Sequence, residues 1–137
     1  MPNAVQMFAR LSYGSIVLGL LGSFYLLPKI IAAASPDIAA LGGMAFVVPV
    51  LIFSFAIPLL LIWLAASRHK NWARIALAVM FVAGLVMTLA DPTGLTIGGL
   101  PSMAMFAVQT LMQGAGLAYV FSASAKPWFA KGDTANA

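Results

Sequence analysis

The sequence predicts an all-α membrane protein, an antiparallel bundle of four transmembrane helices in a single domain (residues 1–137), with both termini cytoplasmic. Three observations predict it. Hydrophobic residues make up 63% of the chain and charged residues 7%. A soluble domain has about 25% charged residues, so the side chains for a water-facing surface are missing. Four apolar runs, at about 11–34, 42–66, 72–90 and 99–125, reach the ~20 residues that cross a ~30 Å hydrocarbon layer. They are apolar on every face, whereas the strands of a membrane barrel would alternate. Finally, the positive charges gather at the ends that this threading places on one side.

The first run follows a short polar entry, Met1–Arg10. It begins at Leu11 and continues past Leu27 through Ile30, Ile31 and Ala32 to Ala34. Arg10, this run and the small residues before Ser35 imitate a secretory signal. The run is longer than a signal core, which favours a span. Pro28 removes a backbone donor and crowds the carbonyl of Phe24, so a kink or helix end is expected there. Lys29 follows directly. Its stem is expected to snorkel to the non-cytoplasmic interface; the alternative is a buried cation paired with Asp37, Asp91 or a ligand.

Ser35–Leu41, marked by Pro36 and Asp37, reads as a loop. The second run holds Pro49 and Pro58, which free the carbonyls of Ala45 and Ser54. Neighbouring helices, water or the Ser54 hydroxyl must satisfy them. Broken helices line cavities in transporters, although internal prolines more often only bend a helix. The third run is the cleanest, with Asn71 placed to cap it. Ala76, Ala83 and Ala90 recur every seven residues, a small-residue seam suited to left-handed packing. Asp91-Pro92 ends this run, and the fourth covers about Gly99–Ala125. Lys126-Pro127-Trp128-Phe129 returns the chain to an interface, and the tail from Ala130 is expected to be mobile. Pro36 and Pro92 each precede a Gly pair by six positions. A duplicated hairpin and simple convergence of two loops explain that equally well.

With four spans, Arg10, Arg68, Lys70, Arg74, Lys126 and Lys131 share a side, six of the seven Lys/Arg residues. The other side has Lys29, Asp37 and Asp91. The positive-inside rule makes the basic side cytoplasmic. Trp63, Trp72 and Trp128 fall at the same boundary, where amphipathic rings settle among headgroups. The charges therefore read as topology determinants in contact with the lipid bilayer and not as a nucleic-acid surface. Arg68, Lys70 and Arg74 in the central turn also suit anionic headgroups, at about 1 kcal/mol each.

Inside the spans the polar residues are few. Gln109 and Gln113, four apart, share a face near the middle of the fourth helix, and Ser102 extends that face outward. Such amides form interhelical hydrogen bonds worth about 0.6–2 kcal/mol. Alternatively, with Ser54 and Lys29, they line a path or pocket for a small molecule. Two small-residue faces, Ser15/Gly19/Ser23 in the first helix and Gly114/Ala118/Ser122 in the fourth, allow close backbone approach within the bundle or to a partner. His69 is the only histidine and the chain has no cysteine, so neither a bis-histidine nor a thiolate metal site fits one chain. The methionines read as flexible packing. Glutamate is absent and no aspartate lies mid-span, which disfavours a carboxylate proton relay. No nucleophile–base pair or phosphate loop is present, so no enzyme and no cofactor are expected.

The turn Arg68-His69-Lys70-Asn71-Trp72-Ala73-Arg74 and the terminal Lys126-Pro127-Trp128-Phe129 resemble small four-helix bacterial inner-membrane proteins of uncharacterised function. In those, a basic Asn-Trp-Ala-Arg turn joins the second and third spans. The resemblance implies a multi-pass protein of the bacterial inner (cytoplasmic) membrane and no activity or cofactor. The expected function is non-catalytic: an accessory or assembly subunit, or a homo-oligomer, that packs on other membrane helices through its small-residue faces. The alternative is a small-molecule transporter or channel with a polar lining from the fourth helix.

Overall fold

The computed structural model describes residues 1–33 and 44–134. Its regular elements are all helical: α1 (Asn3–Ala33), α2 (Met44–Ser67), α3 (Asn71–Ala90), α4 (Thr93–Phe121), a 3₁₀ turn at Ala123–Ala125, and α5 (Lys126–Thr134). The four long helices are each long and apolar enough to cross a membrane. The Ser35–Leu41 loop, Asp37 and the Gly42-Gly43 pair lie outside the described residues, and so does any comparison of the two outer loops.

Helix α1 starts at Asn3, well before the expected Leu11. The reason is amphipathicity. Ala4, Val5, Phe8 and Ala9 are buried on one face, while Asn3, Met7 and Arg10 are exposed on the other, so polar positions conceal a helical period. The Val5 and Gln6 amides donate to the Pro2 carbonyl at 3.0 and 3.1 Å, closing the first turn. At 31 residues, α1 is about 46 Å long and exceeds the ~30 Å hydrocarbon layer. Pro28 lies inside α1 and does not end it; Pro49 and Pro58 are likewise inside α2.

Helix α4 also starts early, at Thr93. The Thr93 N–H donates to Asp91 Oδ1 at 3.1 Å and the Thr93 hydroxyl donates to the same oxygen. This Asx-type arrangement opens the helix where a loop was expected. The helix then breaks at Gly99, whose φ of 67° and ψ of −159° belong to glycine alone. Pro101, two residues on, removes the amide that would bond the Ile97 carbonyl.

The most extensive pairing joins α1 and α4. Contacts step backward along α4 as they step forward along α1: Ser12 with Gly116, Gly14 with Met112, Gly19 with Gln109, Gly22 with Met105, and Leu26 with Gly98. Glycine on one side or the other makes each approach possible. Helix α2 packs on α1 and α3, whereas α3 meets α4 over a smaller area.

The buried core lies toward one end. Val5, Phe8, Leu61, Ala65, Ala73, Val120, Ala125 and Phe129 all surround the turn between α2 and α3. Short helix α5 supplies Phe129, only 2% exposed, so a residue expected at an interface instead contributes to the core. The Ala76/Ala83/Ala90 seam does not hold along α3: Ala76 packs on the core, but Ala83 and Ala90 are exposed. The bundle is therefore tight at the turn end and loose beyond it.

Candidate functional site

The tight end is built on the turn. The Arg68 and Lys70 amides both donate to the Leu64 carbonyl, at 3.2 and 3.1 Å, and His69 between them has φ 56°. This is a helix C-cap with histidine in the left-handed position that glycine usually takes. The chain leaves it with Lys70 extended, so Lys70 occupies the N-cap of α3 and makes no side-chain cap bond. Asn71 is already helical, and its buried amide oxygen accepts no hydrogen bond, which corrects the expected Asn71 cap.

The turn then grips the end of the chain. His69 Nδ1 lies 3.0 Å from the Trp128 carbonyl oxygen, and the two rings stack at 4.0 Å between centroids. A carbonyl only accepts, so Nδ1 carries the proton. Arg74 lies over Phe129 at 4.5 Å and Phe121 at 5.1 Å, and its Nη1 donates to the Val120 carbonyl at 3.3 Å. Arg68 lies over the ring of Trp63 at 4.9 Å. Trp63 and Trp72 are exposed and Trp128 is half-buried.

Above this seal, α2, α3 and α4 enclose an open cavity of about 310 Å³. Its polar lining is Ser54, Thr88, Gln109, Thr110 and Gln113; Leu77, Met80, Phe81 and Phe106 supply much of its apolar wall. At its wall a Cβ on Gly114 would stand 3.6 Å from the Phe81 ring, where α3 meets α4, and Gly84 leaves space beside α3. Among the described residues no charged side chain lines it. Gln109 and Gln113 make no side-chain hydrogen bond to the described residues, so their donors and acceptors are available to the cavity. The Ser54 hydroxyl donates to the Val50 carbonyl at 2.7 Å and the Thr88 hydroxyl to the Gly84 carbonyl at 2.9 Å. Those protons are committed, which leaves the two oxygens as acceptors.

Gln109 and Phe106 also line a smaller cavity, about 180 Å³, between α1 and α4. Gly19, Gly22, Ser23 and Ser102 contribute to it. Ser102 is only 4% exposed, and its buried hydroxyl has no hydrogen-bond partner.

Lys29 does not reach outward. Helical side chains lean toward the N-terminus, and its Nζ donates to the Tyr25 hydroxyl one turn back at 2.6 Å, with the ammonium 4.0 Å from the ring centroid. Tyr25 in turn donates to the Gly98 carbonyl at 3.4 Å, beside the break in α4. No Lys29–Asp91 pair forms, and Asp37 lies outside the described residues.

The two small-residue faces are not equivalent. Ser15 and Gly19 are buried in the α1–α4 contact, and the Ser23 hydroxyl bonds the Gly19 carbonyl at 2.9 Å. Gly114 faces α3, Ala118 is exposed, and Ser122 ends α4. Sequence reasoning missed Thr88, Thr110 and Tyr25 as polar partners of the expected residues. The signal for Thr110 was its place beside Gln109; Thr88 carried none that separates it from an ordinary back-bonded threonine. No protein-family model matches this chain, and comparisons with curated proteins and with solved structures found no match either.

Proposed function

We propose that this chain is a non-catalytic, multi-pass protein of the bacterial inner membrane that binds or passes a small, uncharged, polar molecule through the cavity between α2, α3 and α4. One observation carries the reading. Two carboxamides and three hydroxyl-bearing side chains converge on a mid-span cavity that no charged side chain lines among the described residues. In hydrocarbon an amide without a partner is costly, so a cavity so lined holds water or a polar guest. The threading that goes with it is antiparallel, with both termini and the central turn cytoplasmic. The backward-stepping α1–α4 contacts and the six basic residues gathered by that threading support it. In this frame the tight turn end closes the bundle on the cytoplasmic side and the cavity opens away from it.

Flux into vesicles tests the proposal. Purified full-length protein in proteoliposomes should raise urea or glycerol entry several-fold over protein-free vesicles, read by stopped-flow light scattering, without raising potassium or chloride leak. Entry equal to that of empty vesicles, together with no measurable binding of either solute, would defeat it.

A second reading keeps the chain as an accessory subunit or homo-oligomer. It draws support from the outer face of α3, where Val79, Val82, Val86 and Met87 are strongly exposed beside Ala83. The mass of the complex in mild detergent separates the readings: a monomer that still conducts solute leaves only the first.

A further inference from the structure

We propose that the 180 Å³ cavity between α1 and α4 is a hydrated second chamber of the same site, joined to the larger cavity past Gln109, so that small neutral solutes reach the break in α4. This rests on the functional reading above and specifies its path and gate. The independent observation is Ser102. Its hydroxyl is buried, lacks any partner, and belongs to the lining of this chamber. A buried hydroxyl without a bond keeps its full desolvation penalty, so a water or a solute hydroxyl completes it. At ~30 Å³ per water the chamber has room for several.

The geometry makes Gln109 the passage. Gln109 and Phe106, three apart on one face of α4, line both cavities. The Gln109 amide nitrogen rests on Gly19, 2.9 Å from where a Cβ would stand, so only glycine leaves the amide its place. With no bond fixing it among the described residues, the amide can turn between the chambers. The chemistry selects neutral solutes. Among the described residues neither lining contains a charged side chain, and the Lys29 ammonium is bonded to Tyr25, which belongs to neither lining. An ion entering would be desolvated with no counter-charge to offset the loss.

The native chain has no cysteine, so single cysteines report cleanly. Gly22→Cys is suited to the small chamber, because its Cβ would meet nothing closer than Met105 Sδ at 3.6 Å. In membranes carrying the full chain, it should react with neutral hydroxyethyl methanethiosulfonate at least tenfold faster than with the charged ethylammonium or ethylsulfonate reagents. Adding Gln109→Leu should slow that reaction about tenfold and leave Thr88→Cys in the large cavity unaffected. Labelling of Thr88→Cys but not Gly22→Cys overturns the second chamber and spares the functional reading. Failure of both sinks that reading too. Equal labelling of Gly22→Cys with and without Gln109→Leu overturns the gate. Met105→Cys serves as a second chamber reporter if Gly22→Cys does not assemble, with normal elution in detergent as the folding check.

Discussion

The His69 ring stacks on Trp128 at 4.0 Å while its Nδ1 lies 3.0 Å from the Trp128 carbonyl oxygen. The two residues belong to different parts of the chain, a helix-ending turn and the start of α5. Their contact explains why a histidine holds a left-handed position (φ 56°) that carries a penalty of about 1–2 kcal/mol for a residue with a Cβ. Here the stack and the hydrogen bond offset the strain.

It follows that His69→Ala should destabilise more than His69→Gly. Both lose the stack, but glycine also loses the strain, worth about 1 kcal/mol. Thermal unfolding in detergent checks this; equal losses would mean that the left-handed backbone is not a significant cost.

Phe129→Ala should be among the most damaging changes, at about 3 kcal/mol or more. It empties a fully buried site and removes the ring beneath Arg74. A melting temperature within a degree of wild type would show that α5 does not seal the bundle.

Glycines at the break and beside the cavity should differ sharply. A Cβ on Gly98 would stand 1.7 Å from Ser102 Oγ and 2.7 Å from Leu26, whereas one on Gly84 meets nothing within 4 Å. Gly98→Ala should therefore destabilise strongly, and Gly84→Ala should be neutral or stabilise by up to about 1 kcal/mol through helix propensity. Urea or thermal denaturation of the two variants side by side decides it.

At the other end of α3, the Thr93 hydroxyl and N–H hold the Asp91 carboxyl below its ordinary value. A depressed carboxylate contributes stability above its unfolded pKa of about 3.9, and loses it as pH falls through the folded value. Thr93→Val removes the hydroxyl and should raise the Asp91 pKa toward normal in a carboxyl-carbon NMR titration. An unchanged pKa would exclude the hydroxyl as the main cause.

The four spans and the basic turn were legible in the sequence because long apolar runs and clustered charge are local signals. The polar face of α4 was also legible, since Gln109 and Gln113 fall four apart. Other features were not legible. Ala4, Val5, Phe8 and Ala9 form half an amphipathic face, which hydropathy averaged over a span cannot register. Asp91-Pro92 read as a stop, although the Asp91 carboxylate starts the next helix through Thr93. Lys29 has a neighbour one turn back, Tyr25, which was visible, but the Gly98 carbonyl that Tyr25 bonds was not. Whether Ser102 has a partner could be decided only from the packing of α1 on α4.

The proposed function requires the space between α2, α3 and α4 to be wet. Reaction of single cysteines with a hydrophilic thiol reagent in intact membranes tests it most directly, comparing Ser54→Cys and Thr88→Cys in the cavity with Val79→Cys and Val86→Cys on the outer face of α3. Fast labelling of the first pair and negligible labelling of the second are expected. Equal protection at all four positions would contradict it, and the polar face of α4 would then belong to a dry helix–helix contact.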